Sequence, residues 1–185
     1  MAEKSKSNVL NLQPQSLEAE QAVLGSMLIS KEAVSKVLQW ITTEHFYKDS
    51  HGKIFATMIS LFNENEPVDT ISVIDQLKKN KEIKGVGGAY YITGLVEAVP
   101  TAANVEYYAK IVKEKAVLRN IIETAINMSN EAYDPSNNSI EILDKAESLL
   151  FEVSKNSDRS NFEELDNLLH NVLDNWDNRG DKSHT

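Results

Sequence analysis

Apolar side chains recur at helical spacing through almost the whole chain. Leu17, Val23, Leu24, Met27 and Leu28 form a first stripe, with Ser16 as cap and Glu18 and Glu20 near its positive end. Ser30 offers a second cap before Ala33, Val34, Val37, Leu38 and Ile41. Residues 42–49 break the pattern and carry the aromatic pair Phe46 and Tyr47. Ile54, Phe55, Met58, Ile59 and Phe62 make a third stripe. Pro67 and Asp69 then open a short helix that should turn Ile71, Ile74 and Leu77 inward. Gly85, Val86, Gly87 and Gly88 mark a turn, and Tyr90, Tyr91, Leu95 and Val96 sit on a further short helix that stops before Pro100.

From about Ala102 to Tyr133 the chain has no glycine or proline, and Tyr108, Ile111, Val112, Leu118, Ile121, Ile122, Ala125 and Ile126 keep one period. This predicts a single long helix of about eight turns. Residues 134–138 read as a turn. Ile142, Leu143, Ala146, Leu149, Leu150 and Val153 build the returning helix. So short a link makes the two helices an antiparallel hairpin. After a polar stretch, Ser160 and Glu163 form a capping box. Phe162, Leu165, Leu169, Val172 and Trp176 follow at steps of three and four, and Gly180 ends the segment. Its apolar stripe either folds back on the hairpin or docks on another subunit.

No convincing strand appears. The expected fold class is all-α: a compact helical head, a long antiparallel helical hairpin and an amphipathic linker helix. The expected division is a flexible leader over 1–15, the head over 16–100, the hairpin over 101–154 and the linker with its docking helix over 155–185.

Composition narrows the function. The chain has 185 residues, no cysteine, and a formal net charge of −9. Thiolate metal sites, disulfide scaffolds and a cysteine nucleophile are excluded. The acidic balance disfavours a surface that grips phosphates. Residues 1–119 carry 14 basic and 14 acidic side chains, whereas residues 120–185 carry 5 and 14, so the whole excess lies in the last third. The start of the chain is polar, with no apolar signal segment, and no run is long enough to span a membrane. A cytoplasmic protein without membrane contact is expected.

The search for chemistry is mostly negative. Gly52-Lys53 is followed by Ile54, so the phosphate-cradling Gly-x4-Gly-Lys-Ser/Thr segment is absent. His45, His51, His170 and His184 never pair at metal-binding spacing. Asp134, Ser136 and Asn138 imitate the start of a calcium loop, but Ser139 and Lys145 stand where glycine and the bidentate glutamate belong. His51 reads as structural or helix-capping rather than catalytic. Lys110, Lys113, Lys115 and Arg119 with Tyr107 and Tyr108 are a weak nucleic-acid candidate; Glu106 and Glu114 interrupt them, Lys110 and Glu114 being an i, i+4 pair, so a solvated face is expected. No catalytic, cofactor-binding or metal-ligating residue emerges.

Five ordered blocks then point to a family. Leu17-Glu18-Ala19-Glu20-Gln21-Ala22-Val23-Leu24-Gly25-Ser26-Met27-Leu28 closely resembles the opening helix of bacterial replicative DNA helicases, the DnaB family. Phe46-Tyr47 with His51 and Ile54-Phe55, Gly87-Gly88-Ala89-Tyr90-Tyr91, the Pro100–Val105 segment and the Tyr108–Arg119 segment follow in the same order.

The resemblance implies an N-terminal domain and linker helix, with the ATPase motor of the family absent from these residues. It implies a collar built as a trimer of dimers above a hexameric ring, with hairpins making dimer contacts and offering a surface to primase. A helicase loader is a further candidate partner. ATP, magnesium and DNA would be handled by the motor of the parent protein alone. Phe162, Leu165, Leu169, Val172 and Trp176 would be a subunit-docking face. The alternative is the helicase-binding domain of a primase, which the Leu17–Leu28 and Pro100–Asn104 segments argue against. A self-contained enzyme is the least favoured class.

Overall fold

The computed structural model describes residues 12–157. Seven α-helices follow one another: α1 Leu17–Ile29, α2 Lys31–Leu38, α3 Asp49–Asn63, α4 Thr70–Lys79, α5 Gly88–Glu97, α6 Val105–Tyr133 and α7 Ser139–Ser157. Short 3-10 turns at Thr43–His45 and Ala102–Asn104 precede α3 and α6. No strand occurs among the described residues. The Thr101 hydroxyl accepts from the Ala103 amide at 3.2 Å, so the glycine-free run begins as a 3-10 turn before the long helix proper.

Helix α1 is the axis of the head. Val23, Leu24 and Met27 are fully buried, and α2, α3, α5 and α6 all pack on it. The Ser16 hydroxyl accepts from the Ala19 amide as the cap should, at 3.4 Å. Ser30 is the cap residue of α2, but its side chain makes no capping hydrogen bond. At Gly25 an added Cβ would meet the Leu95 carbonyl oxygen at 2.2 Å. Glycine there lets α5 lie against the α1 backbone.

Around this axis, Ala33, Val34 and Val37 of α2 and Ile54, Phe55 and Met58 of α3 close the core, and the Phe46 ring sits 5.0 Å from that of Phe55. Asp69 caps α4 through the Ser72 amide at 2.8 Å. Its buried side chains are Val73 and Leu77, with Ile74 beside them; Ile71 is 81% exposed. Ile71 falls outside the arc the other three share, because the stripe runs i, i+4 from Val73. Leu17 is also partly exposed, at the frayed start of α1. The turn before α5 holds Gly87 at φ 101° and Gly88 at φ 78°, a left-handed backbone that favours glycine.

Helix α6 belongs to two layers. Its first half buries Val105, Ala109, Val112 and Ala116 against the head, and its second half pairs with α7 as the antiparallel hairpin.

Candidate docking surface

The hairpin turn is built from side chains that satisfy the two helix ends. The Asp134 carboxylate accepts from the Ser136 hydroxyl at 2.7 Å and from its amide at 2.9 Å. These bonds hold the Asp134 carboxyl below its usual range. The Asn138 side chain accepts from the Ile140 amide at 3.0 Å, starting α7. The Asn137 amide group donates to the Glu131 carbonyl, and Lys145 of α7 donates to the Glu131 carboxylate of α6. The expected turn is confirmed, and Lys145 ties the two arms together.

Two helices in contact bury only the seam between them. Beyond the head, Ile121, Ala125 and Met128 of α6 face Ile142, Leu143 and Leu150 of α7 across an open apolar cleft of about 530 Å³. Leu143 is 60% exposed and Leu150 is 51% exposed, while Ala146 at the floor is buried. Ile122 and Ile126 of α6 and Ile140 and Phe151 of α7 are exposed as well. Contiguous apolar exposure of this kind on a soluble surface marks a place where another protein packs.

The hairpin is anchored to the head by residues expected to form a solvated face. Arg119 donates to the Pro14 carbonyl at 2.9 Å and to the His45 carbonyl at 2.7 Å, and its guanidinium stands 5.7 Å from the Tyr47 ring centre. Lys110 lies 4.2 Å above the Trp40 ring centre, and Lys36 of α2 pairs with Glu106 at 3.9 Å. Glu114 pairs with Lys115 rather than with Lys110. These cations therefore hold α6 to the end of α2 and to the residues before α3. A sequence shows charge and spacing but not which carbonyls lie within reach.

The head also contains a polar core that sequence reasoning missed. Glu20, expected near the helix end as a surface charge, is 1% exposed. Its carboxylate lies 2.6 Å from His51 Nδ1 and accepts from the Tyr47 amide at 2.7 Å. On its other side His51 Nε2 lies 2.5 Å from the Tyr91 hydroxyl, which also accepts from Gln21 at 3.1 Å and Lys48 at 3.3 Å. One proton arrangement satisfies every group: Nδ1–H donates to Glu20, and the tyrosine hydroxyl donates to Nε2. The network joins α1, α3 and α5 and has no cleft beside it, so it is a structural latch. His51 is structural as expected, and it sits inside the first turn of α3 rather than capping it.

The predicted docking residues Phe162, Leu165, Leu169, Val172 and Trp176 lie outside the described residues. Among the described residues no cluster of acidic and histidine side chains could hold a metal. No described helix is long and apolar enough to cross a membrane.

Head, anchored hairpin and open cleft together define an all-helical protein-docking domain. The sequence model of the DnaB-like helicase N terminal domain matches residues 12–114. The chain belongs to that family. It is 39% identical to the replicative DNA helicase DnaB of Geobacillus stearothermophilus over 162 residues, covering 88% of this chain and 36% of that protein. The chain thus spans about a third of the length of that relative. The crystal structure of the N-terminal domain of DnaB helicase from Mycobacterium tuberculosis superposes with a TM-score of 0.73 at 36% identity, over 76% of this chain and 99% of that one. A DnaB-like replicative helicase, described with its interactions with primase, superposes with a TM-score of 0.63 at 26% identity, over 82% of this chain and 35% of that one. The family places the chain on the helicase side, not the primase side.

Proposed function

We propose that this chain is the assembly and primase-docking part of a hexameric replicative DNA helicase acting in the cytoplasm. The observation that carries the reading is the apolar cleft of the α6–α7 hairpin, open beyond the head. The occupant is first a second copy of the chain, hairpin against hairpin, and three such dimers form the collar. The paired hairpins then offer a composite surface to primase, in keeping with the solved DnaB-like helicase described with primase. The stripe Phe162, Leu165, Leu169, Val172 and Trp176 serves as a separate handle, docking on a neighbouring subunit. A loader would engage the assembled ring. ATP, magnesium and DNA are the business of a motor domain, and no phosphate-binding loop occurs in these residues.

The double substitution Leu143→Asp with Leu150→Asp tests the reading. Both side chains are exposed, so the head should keep its melting temperature. Analytical ultracentrifugation should show wild-type dimers and monomeric variant, and primase binding should fall with dimerisation. A wild-type chain that stays monomeric at high concentration would sink the proposal.

A further inference from the structure

A second concave site lies on the head, away from the hairpin cleft. It is a pocket of about 240 Å³ where the end of α2, the Thr43–His45 turn and the middle of α6 meet. Trp40, His45, Lys113 and Asn120 line it, with Leu38 and Ala116 as apolar wall.

Its polar groups are mainly donors. The Trp40 indole Nε1 is buried and has no hydrogen-bond partner. An indole N–H can only donate, and buried donors left unpaired are rare. His45 Nδ1 accepts from the Thr42 amide at 2.8 Å, which leaves the ring proton on Nε2. Burial first, and the positive charges of Lys113 and Arg119 after it, keep the His45 ring below its ordinary value of 6.5. His45 is thus a neutral Nε2–H donor in a locally positive surrounding. Lys113 brings an ammonium that stands 6.0 Å from the Trp40 ring centre, and Asn120 brings an amide.

We propose that this pocket binds a carboxylate: the side chain of an aspartate or glutamate presented by a protein partner. A carboxylate offers two acceptor oxygens and no donor, which matches an indole N–H, an imidazole N–H, an amide and an ammonium. The volume exceeds what a bare oxyanion needs, since a water takes about 30 Å³, and the apolar wall suits the short aliphatic stem of an acidic side chain. A protein source follows from position. Asn120 is followed directly by Ile121, the first residue of the open hairpin cleft, so a partner seated on the hairpin can place one acid in the pocket. Glu44, an exposed residue, also lines the pocket and opposes a second negative charge. The inference rests on the chemistry of the pocket and stands without the helicase reading.

The full chain has two tryptophans, so it shows two indole N–H resonances, and Trp176→Phe assigns the Trp40 signal. N-acetyl-glutamate amide is titrated against the protein at constant ionic strength and followed by that resonance. The expected result is a saturable downfield shift, with the His45 ring signals moving alongside. Asn120→Asp, at an exposed position, should weaken binding by roughly tenfold, the worth of about one charge-assisted hydrogen bond. Glu44→Gln should tighten it. Inorganic phosphate and chloride are the control titrations. A Trp40 resonance that does not move, or moves equally with chloride, overturns the site. Tighter binding of phosphate than of the glutamate derivative overturns the carboxylate assignment. Asn120→Asp and Glu44→Gln both without effect would overturn the site as well.

Discussion

The His51 imidazole of α3 lies 2.6 Å from the Glu20 carboxylate of α1, and both side chains are shut off from solvent. The pair is the centre of the head, because the same carboxylate takes the Tyr47 amide and the same imidazole meets Tyr91. Removing one member leaves the other buried without its partner, at a cost of about 3–5 kcal/mol. His51→Ala should therefore lower the unfolding free energy by an amount in that range. Glu20→Ala should do the same, since it also strands the Tyr47 amide. The two losses should not add, and a double-mutant cycle by urea denaturation measures the shortfall. Additivity to within about 0.5 kcal/mol would show the pair to be uncoupled.

Two glycines inside helices should respond oppositely to alanine. Gly94 has nothing within 4 Å of an added Cβ, so Gly94→Ala should stabilise by up to about 1 kcal/mol by removing helix-interior glycine. At Gly25 the Cβ would meet the Leu95 carbonyl at 2.2 Å and the Val99 side chain at 2.8 Å. Gly25→Ala should destabilise by about 1–3 kcal/mol, as overpacking does, despite the better helix propensity of alanine. Thermal melts of the two variants decide the matter. An unchanged melting temperature for Gly25→Ala would mean that α5 is free to move off α1.

These two relationships show where reading the sequence succeeds and where it stops. The helices, the turn at 134–138 and the hairpin were legible, because each rests on period and turn chemistry close in sequence. Ile71 was misplaced since two overlapping stripes fit a ten-residue helix, and only Val73 and Leu77 meet α3 and α5. Glu20 looked like a helix-end charge because its partners lie 27 and 31 residues away. Arg119 looked solvated because the carbonyls it binds, at Pro14 and His45, are main-chain groups that no side-chain pattern reveals. The hairpin cleft was readable as apolar residues but not as an open surface, since exposure depends on what fails to cover it.

Arg119 supplies a further prediction. Its two carbonyl contacts fix the segment before α1 and the Thr43–His45 turn to α6, with the guanidinium fork directed at both. Lysine keeps the charge but cannot span two acceptors in that geometry. Arg119→Lys should lose about 1–3 kcal/mol, typical of hydrogen bonds to charged groups. Amide exchange should accelerate around residues 42–48 more than in α3. Uniform protection in the variant would show that the clamp is dispensable.

His45 gives the head a pH dependence with a definite sign. Its Nδ1 accepts from the Thr42 amide, so the fold needs the neutral ring, and burial above all holds its pKa below 6.5. The unfolded chain takes up the proton first as pH falls. Stability contributed by the neutral ring is therefore complete above about 6.5, declines below it, and levels off once pH passes the lower folded value. His45→Gln keeps a side-chain acceptor near Thr42 and has no proton to gain. Denaturation curves at pH 7.5, 6.5 and 5.5, chosen to bracket the ordinary histidine range, should show the wild type losing ground to the variant only at the acid end. Parallel pH profiles would mean that Thr42 does not hold the neutral ring in solution, and would remove His45 as a donor from the pocket beside it.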